Sequence, residues 1–193
     1  PLHDARPIWT DNSNTFPWTT GNPELKQQVS NTLSTRYTYT NSQKSTSFFA
    51  NLFLQQTSNY IANATYTASR DSLLSNGKIL YRNAQITKPV NLNGYLSMRS
   101  FLTYAMPLKF MKSNLNVNGG FTYSKTPGLI NNVKTTSDNY TYNGGIVIAS
   151  NISQYIDFNA SYNASFTNSK NSSNPALNTN YVTQSAGLQA NLL

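Results

Sequence analysis

The sequence predicts an all-β chain, an antiparallel up-and-down meander of long strands. Apolar and aromatic residues alternate with polar ones along most of the chain, and a period of two residues is typical of a strand with one apolar face. The polar positions are mostly Asn, Ser and Thr, which are middling or poor helix formers. Turn-forming segments interrupt the alternation repeatedly, as hairpins require.

Composition narrows the class of protein further. Charged residues make up 10% of the chain, against roughly 25% in soluble domains, yet the content of Tyr (13) and Phe (9) argues against disorder. No apolar run approaches the roughly 20 residues of a transmembrane helix, so a membrane would be crossed by strands. The lack of Cys excludes disulfides, thiolate metal sites and Cys nucleophiles.

About seven alternating stripes predict the strands, each long enough for the roughly 9–11 residues of a tilted membrane-spanning strand. The first stripe begins at Val29 and places Leu33, Tyr37 and Tyr39 on one face. The others lie in residues 48–60, 92–104, 115–123, 140–148, 156–166 and 182–192. Each stripe predicts a strand with one apolar and one polar face.

The predicted connections alternate in length. Three are short, at residues 41–45, 106–112 and 151–154. Three are longer, at residues 66–77, 126–138 and 168–178. Outer-membrane barrels have short turns on the periplasmic side and long loops on the outer side. The sequence therefore predicts part of a transmembrane outer-membrane β-barrel.

Charges and aromatic residues fit this prediction. Arg36, Arg99 and Asp157 fall on the polar face of their strands, whereas a charge on the lipid face near the midplane costs about 2–4 kcal/mol. A soluble sandwich also turns charges outward, so that alternative stays open. The aromatic residues that flank the connections resemble the girdles of a barrel: Tyr104, Phe121, Tyr123, Tyr140, Tyr142, Tyr155, Phe166 and Tyr181.

Several motifs, taken in order, resemble one family. They are Asp4-Ala5-Arg6-Pro7, Asp11-Asn12-Ser13-Asn14, Gly21-Asn22-Pro23-Glu24-Leu25-Lys26, Tyr104-Ala105-Met106-Pro107-Leu108-Lys109, Ser113-Asn114-Leu115-Asn116 and Thr126-Pro127-Gly128-Leu129-Ile130-Asn131. The series resembles the C-terminal barrel portion of TonB-dependent receptor-like outer-membrane proteins of the Bacteroidetes type. The resemblance implies a plugged barrel of about 22 strands that imports a ligand such as a glycan, a peptide or a metal chelate.

The expected organisation follows from the strands and the resemblance together. Residues 1–28 are expected to form an extracellular-side lead-in segment, and residues 29–193 a partial barrel with short periplasmic turns and long extracellular loops. A single-chain bacterial barrel has an even number of at least about 8 strands, so the sequence predicts a piece of a longer polypeptide with unpaired or partner-paired edges. The expected location is the bacterial outer membrane. Expected partners are its lipid and lipopolysaccharide, with a surface lipoprotein and TonB contacted through parts outside this sequence.

No catalytic, cofactor-binding or metal site is predicted, and no enzyme activity. His3 is the single histidine, and the acidic residues are spread without a paired-carboxylate motif. Gly119-Gly120 and Gly144-Gly145 lie inside strand patterns, which favours close backbone approach over a phosphate loop. The loop cations could meet lipopolysaccharide phosphates or an anionic ligand, or simply be solvated: Arg70, Lys78, Lys125, Lys134 and Lys170.

The positive net charge does not indicate a nucleic-acid partner, and two other classes of protein fit the same pattern of strands. The net charge is +8, but the basic residues are scattered along the chain, so no nucleic-acid partner is predicted. One alternative to a transporter is a soluble or surface-exposed β-sandwich or structural protein that binds carbohydrate, its stripes forming an internal core. Another is a barrel that scaffolds a surface assembly without transport. The sequence selects no ligand and no ligand-binding residue.

Overall fold

The computed structural model describes residues 17–73, 79–150 and 156–192. Within them lie twelve strands and two short 3-10 helices, Lys109–Met111 and Pro175–Leu177. The strands are β1 (Pro17–Thr19), β2 (Val29–Asn41), β3 (Thr46–Ser58), β4 (Tyr60–Thr67), β5 (Ser72–Leu73), β6 (Ile79–Leu80), β7 (Gln85–Leu92), β8 (Tyr95–Leu108), β9 (Ser113–Ile130), β10 (Val133–Ser150), β11 (Ile156–Asn171) and β12 (Thr179–Leu192). The predicted all-β class is confirmed. No helix in this part of the chain is long and apolar enough to cross a membrane.

The chain divides into two compact units. The long-strand unit comprises Asn31–Gln56, Leu96–Lys125 and Asp138–Leu193. The short-strand unit comprises Pro1–Ser30, Thr57–Tyr95 and Thr126–Ser137. Five of the strands, β2, β3, β8, β9 and β10, contribute residues to both units.

The long-strand unit is a sheet with the order β2-β3-β8-β9-β10-β11-β12. Strands β8 and β9 run antiparallel with Leu102 opposite Gly119, and β11 and β12 run antiparallel with Tyr162 opposite Ala186. Within the described residues the sheet does not close, because β2 pairs only with β3 and β12 only with β11. Every residue of β2 up to Thr40 is exposed, as expected for an edge strand.

Each of the seven predicted stripes lies largely on one of these seven long strands. The seven long strands follow one another in the order of the stripes. Two stripes run past the ends of their strands, because Asn59 (φ 52°) ends β3 before Tyr60 and Gly94 (φ 113°) separates Leu92 from β8. Both residues adopt the left-handed region, which breaks an extended strand. As a result Tyr60 begins β4, Leu92 ends β7, and β3 pairs directly with β8.

The short-strand unit has its own pairing. Strand β4 runs antiparallel to β7, with Tyr60 opposite Leu92, while β1 runs parallel to β7. The last residues of β9 run parallel to β4, with Ala64 opposite Leu129. A small apolar cluster of Trp18, Leu80 and Ala84 lies within this unit, and Ala68 and Ile86 pack against it.

The long loop predicted at residues 126–138 is instead mostly strand. Strand β9 continues to Ile130 and β10 begins at Val133, so that only Asn131 and Asn132 form the turn. Both have positive φ, 48° and 65°, which is the conformation of a type I′ hairpin turn that Asn tolerates. The other predicted loops are also shortened, because β5 occupies part of 66–77 and β11 extends to Asn171. The turn predicted at 151–154 lies outside the described residues.

Candidate functional site

One face of the long-strand sheet is apolar across neighbouring strands. Met98 lies opposite Tyr123, and Tyr104 opposite Val117, across β8 and β9. Across β11 and β12 the apolar pairs are Phe158 with Ala190, Ala160 with Leu188, and Phe166 with Val182. The alternation predicted from single strands therefore aligns between strands into a continuous surface, called here the apolar face.

The apolar face is exposed. Leu33 is 55% exposed, Ile146 45% and Val182 57%. The buried hydrophobic residues of the described chain are Trp18, Ala62, Ala64, Leu80 and Ala84, and all of them belong to the short-strand unit. In its described residues the long-strand unit thus has an apolar face without an apolar core. Contiguous exposed apolar surface of this kind marks a contact with lipid or with another protein.

The two ends of the long strands differ. The turn at residues 42–45 and the β8–β9 connection line one cavity of about 540 Å³ with Gln43, Lys44, Pro107 and Phe110, so these tight connections lie at the same end. We call it the turn end, and the opposite end the loop end. At the loop end β11 reaches β12 through the 3-10 helix Pro175–Leu177.

Aromatic rings lie in a row on the apolar face near the loop end, and a single pair of rings lies near the turn end. At the loop end, ring centroids are 4.8 Å apart for Tyr123 and Tyr140, 4.9 Å for Phe121 and Tyr142, and 6.4 Å for Tyr142 and Phe166. At the turn end, Tyr37 and Phe48 are 6.1 Å apart. From the loop-end rings toward the turn end, the apolar stripe covers about nine residues, 115–123 on β9 and 140–148 on β10, close to the roughly 9–11 residues of a tilted membrane-spanning strand.

The opposite face of the sheet carries carboxamides that lie over glycines. A β-carbon on Gly120 would come within 2.6 Å of Oδ1 of Asn143, and one on Gly145 would come within 3.0 Å of Nδ2 of Asn118 and would also collide with Asn163. The glycines therefore permit a close layer of amides across β9, β10 and β11. A neighbouring cavity of about 360 Å³ is lined mainly by polar residues, among them Asn118, Asn143, Asn163, Ser165, Thr183 and Ser185.

Two arginines lie over phenylalanine rings on this polar face. The guanidinium carbon of Arg36 is 5.0 Å from the ring centroid of Phe49, and that of Arg99 is 5.5 Å from the centroid of Phe53. The Phe49 ring in turn lies 6.4 Å from that of Phe101. The arginines were predicted on this face, but the phenylalanines were not singled out. The sequence does contain a signal for them, because Phe49 and Phe53 are large apolar residues at polar-face positions of their strand.

A cluster of polar groups marks the loop-end boundary of the apolar face. The Tyr123 hydroxyl donates a hydrogen bond of 2.7 Å to Asp138. A cavity of about 240 Å³ lies beside the ring row, lined by Tyr140, Tyr142, Phe166, Asn168 and Lys170. The Asn168 amide nitrogen donates to the side chain of Asn180.

The other charged residues that the sequence singled out do not come together in one site among the described residues. Asp71 accepts a hydrogen bond from the Arg82 backbone, 2.6 Å, and Lys134 donates to the Asn93 backbone oxygen, 2.9 Å. Asp157 has a buried side-chain oxygen without a hydrogen-bond partner. The described residues contain no cluster of acidic or histidine side chains that could hold a metal ion. Several singled-out residues lie outside the described part: His3, the motifs at 4–7 and 11–14, Lys78 and Tyr155.

The Gly-Asn-Pro-Glu-Leu-Lys motif, residues 21–26, forms a turn that is hydrogen-bonded to β7. Within it, Asn22 accepts a hydrogen bond from the Glu24 backbone through its side chain, 3.1 Å, and donates to the Pro89 oxygen, 2.9 Å. The Asn91 carboxamide bonds both the N–H and the carbonyl of Lys26. The motif therefore has a structural role in the short-strand unit.

Comparison with known proteins identifies no relative. No family model, no curated protein and no solved structure matches the chain. The family resemblance carried by the motifs stays a prediction.

Proposed function

We propose that the chain forms part of the wall of an outer-membrane β-barrel of the TonB-dependent receptor-like kind. The observation that carries this proposal is the exposed apolar face of the long-strand sheet, in a unit whose described residues have no buried hydrophobic core. A row of aromatic rings lies at one end of this face and a ring pair at the other. Lipid is the partner that fits it best, since a barrel wall has an outward apolar band with aromatic girdles at both interfaces. Closure would come from further strands pairing with β2 and β12.

The polar face would then line the lumen. Its carboxamides and hydroxyls can donate and accept hydrogen bonds along the path of a hydrated ligand, as the cavity beside Asn143 and Asn163 illustrates. Arg36 and Arg99 would bring positive charge to this wall, with their guanidinium groups held over Phe49 and Phe53. A wall of this composition suits a polar nutrient such as a glycan, a peptide or a metal chelate.

Import by such a barrel would use energy delivered through TonB. The experiment is growth and uptake in the native host, comparing the wild type with a strain that lacks this protein and with one that lacks TonB. The proposal expects both deletions to abolish uptake of the same nutrient class, while the protein itself fractionates with the outer membrane.

Two results would replace the proposal. Recovery of a soluble, cooperative monomer without detergent would favour the β-sandwich alternative. Outer-membrane localisation with unchanged uptake of every nutrient class tested would favour a barrel that scaffolds a surface assembly. The wild-type strain with a plasmid-borne second copy of the gene serves as the control for expression.

A further inference from the structure

Two arginines and three phenylalanines lie together on the polar face, in the part of the long-strand unit formed by β2, β3 and β8. The guanidinium carbon of Arg36 lies 5.0 Å from the centroid of the Phe49 ring, and that of Arg99 lies 5.5 Å from the centroid of the Phe53 ring. The Phe101 ring is 6.4 Å from the Phe49 ring, and Phe101 is 43% exposed. We call these five residues the arginine patch.

The arginine patch is positively charged, and its strands supply no counter-charge. Strands β2, β3, β8 and β9 contain no Asp or Glu. Asp157, an acidic residue on the polar face of β11, lies three strands away from β8 in the sheet. Arg36 and Arg99 are both exposed, and their guanidinium groups make no hydrogen bond to the described residues. The described part of the chain therefore leaves both cations open to a ligand.

The phenylalanine rings hold the guanidinium groups without using their hydrogen-bond donors. A guanidinium that lies over an aromatic ring keeps its N–H groups available in its own plane. These N–H groups form a planar fork that matches the two oxygens of a carboxylate. Because the rings already restrict the arginine side chains, less conformational entropy is lost when a ligand binds. The patch therefore suits a ligand that carries carboxylates.

The spacing within the arginine patch narrows the class of ligand. Phe49 and Phe53 are four residues apart on β3, which corresponds to roughly 13 Å along a strand. In an extended peptide, side chains four residues apart also point to the same side and are separated by the same distance. A sugar ring would need an open aromatic face for stacking, but Phe49 and Phe53 each have a guanidinium over the ring. The patch therefore fits an acidic peptide better than a glycan.

We propose that the arginine patch binds an extended acidic peptide. Arg36 and Arg99 each contact one carboxylate, from two acidic residues that are four positions apart in the peptide. Phe101 contacts an apolar side chain between them. This inference rests on the proposed function, in which the polar face lines the lumen, and it names the class of nutrient that this part of the wall recognises.

The test measures peptide binding by the native protein extracted from its membrane in mild detergent. The probe is a fluorescent nonapeptide with Glu at its third and seventh positions and neutral residues elsewhere, compared with the same peptide carrying Gln at both positions. The variants are Arg36→Gln, Arg99→Gln and the double variant. The matched control is Arg82→Gln, which removes the same charge from the short-strand unit. Fluorescence anisotropy measures the dissociation constants.

The wild type and Arg82→Gln should bind the Glu peptide about tenfold more tightly than either single variant of the patch does, the effect of one charge-assisted contact. The double variant should bind it about a hundredfold more weakly than the wild type, because sites this far apart act independently. Equal binding of the two peptides by the wild type would overturn the inference, and so would an equal loss in Arg82→Gln. Tighter binding of an oligogalacturonate would also overturn it, because the patch would then recognise an acidic glycan.

Failure of this inference is distinguishable from failure of the proposed function. Recovery of the wild type as a soluble monomer without detergent overturns the proposed function. A membrane-inserted protein that binds the Glu and Gln peptides equally overturns this inference alone.

Discussion

The Tyr123 hydroxyl donates a 2.7 Å hydrogen bond to Asp138, linking β9 to β10 at the loop-end boundary of the apolar face. The Tyr123 ring lies 4.8 Å from the Tyr140 ring, on the apolar side of that boundary. Tyrosine suits this position because it has an apolar ring and a polar tip. The pair therefore marks the level at which the apolar face gives way to charged side chains.

Removal of this hydrogen bond should destabilise the β9–β10 pair. Tyr123→Phe keeps the ring but leaves the carboxylate without its donor, so the free energy of unfolding should fall by about 1.5–3 kcal/mol. Urea unfolding from detergent micelles, followed by Trp fluorescence, measures the change. Tyr162→Phe is the control, because the Tyr162 ring is exposed and its hydroxyl makes no hydrogen bond to the described residues. Equal effects of the two substitutions would contradict the assigned role of Tyr123.

The amide layer on the polar face predicts a difference between two adjacent glycines. In Gly145→Ala the new β-carbon collides with the carboxamide of Asn163 and lies 3.0 Å from that of Asn118, and because both are the ends of flexible side chains their displacement should cost about 1 kcal/mol. In Gly144→Ala the nearest atom is the Asn118 backbone oxygen at 3.7 Å, an ordinary contact, so this variant should be as stable as the wild type. The same urea titration compares them. A larger loss for Gly144→Ala would show that the amides do not lie over Gly145.

The β9–β10 turn depends on two residues with positive φ. Asn132→Val should destabilise the hairpin by about 1–2 kcal/mol, since a β-branched residue is strained in the left-handed region. Asn132→Gly should have almost no effect, because Gly adopts this conformation freely. Hydrogen exchange of the amides in residues 126–137 reports the hairpin directly. Equal protection in both variants would mean that the turn adopts another conformation.

Period-two alternation predicted the long strands because it depends on a single property, one apolar face. The order of the stripes agrees with the pairing of β3 with β8, but the alternation could not predict where these strands end, because Asn59 and Gly94 adopt the left-handed backbone that breaks the stripes. The alternation also gave no account of the β4–β7 hairpin, which has only eight residues in each strand.

The loop predicted at 126–138 shows how a local signal can mislead. Thr126-Pro127-Gly128 has the composition of a turn, yet Pro127 is buried within β9 and Gly128 lies close to Thr135, whose Oγ1 would be 3.0 Å from an added β-carbon. The turn lies instead at Asn131 and Asn132. The cavity beside the loop-end rings was not predicted for a different reason: Lys170 was predicted to lie in a loop, and its position beside Tyr140 and Tyr142 depends on the pairing of β10 with β11.

The most direct test of the account places a probe on each face of one strand. Ile146 and Val147 are adjacent aliphatic residues of β10, so their side chains point to opposite faces, and the chain has no native Cys to interfere with labelling. A fluorophore on Cys in Ile146→Cys should be quenched by brominated acyl chains and shielded from iodide, and the reverse should hold for Val147→Cys. Iodide quenching of both probes with no quenching by brominated lipid would contradict the claim that the apolar face contacts the membrane.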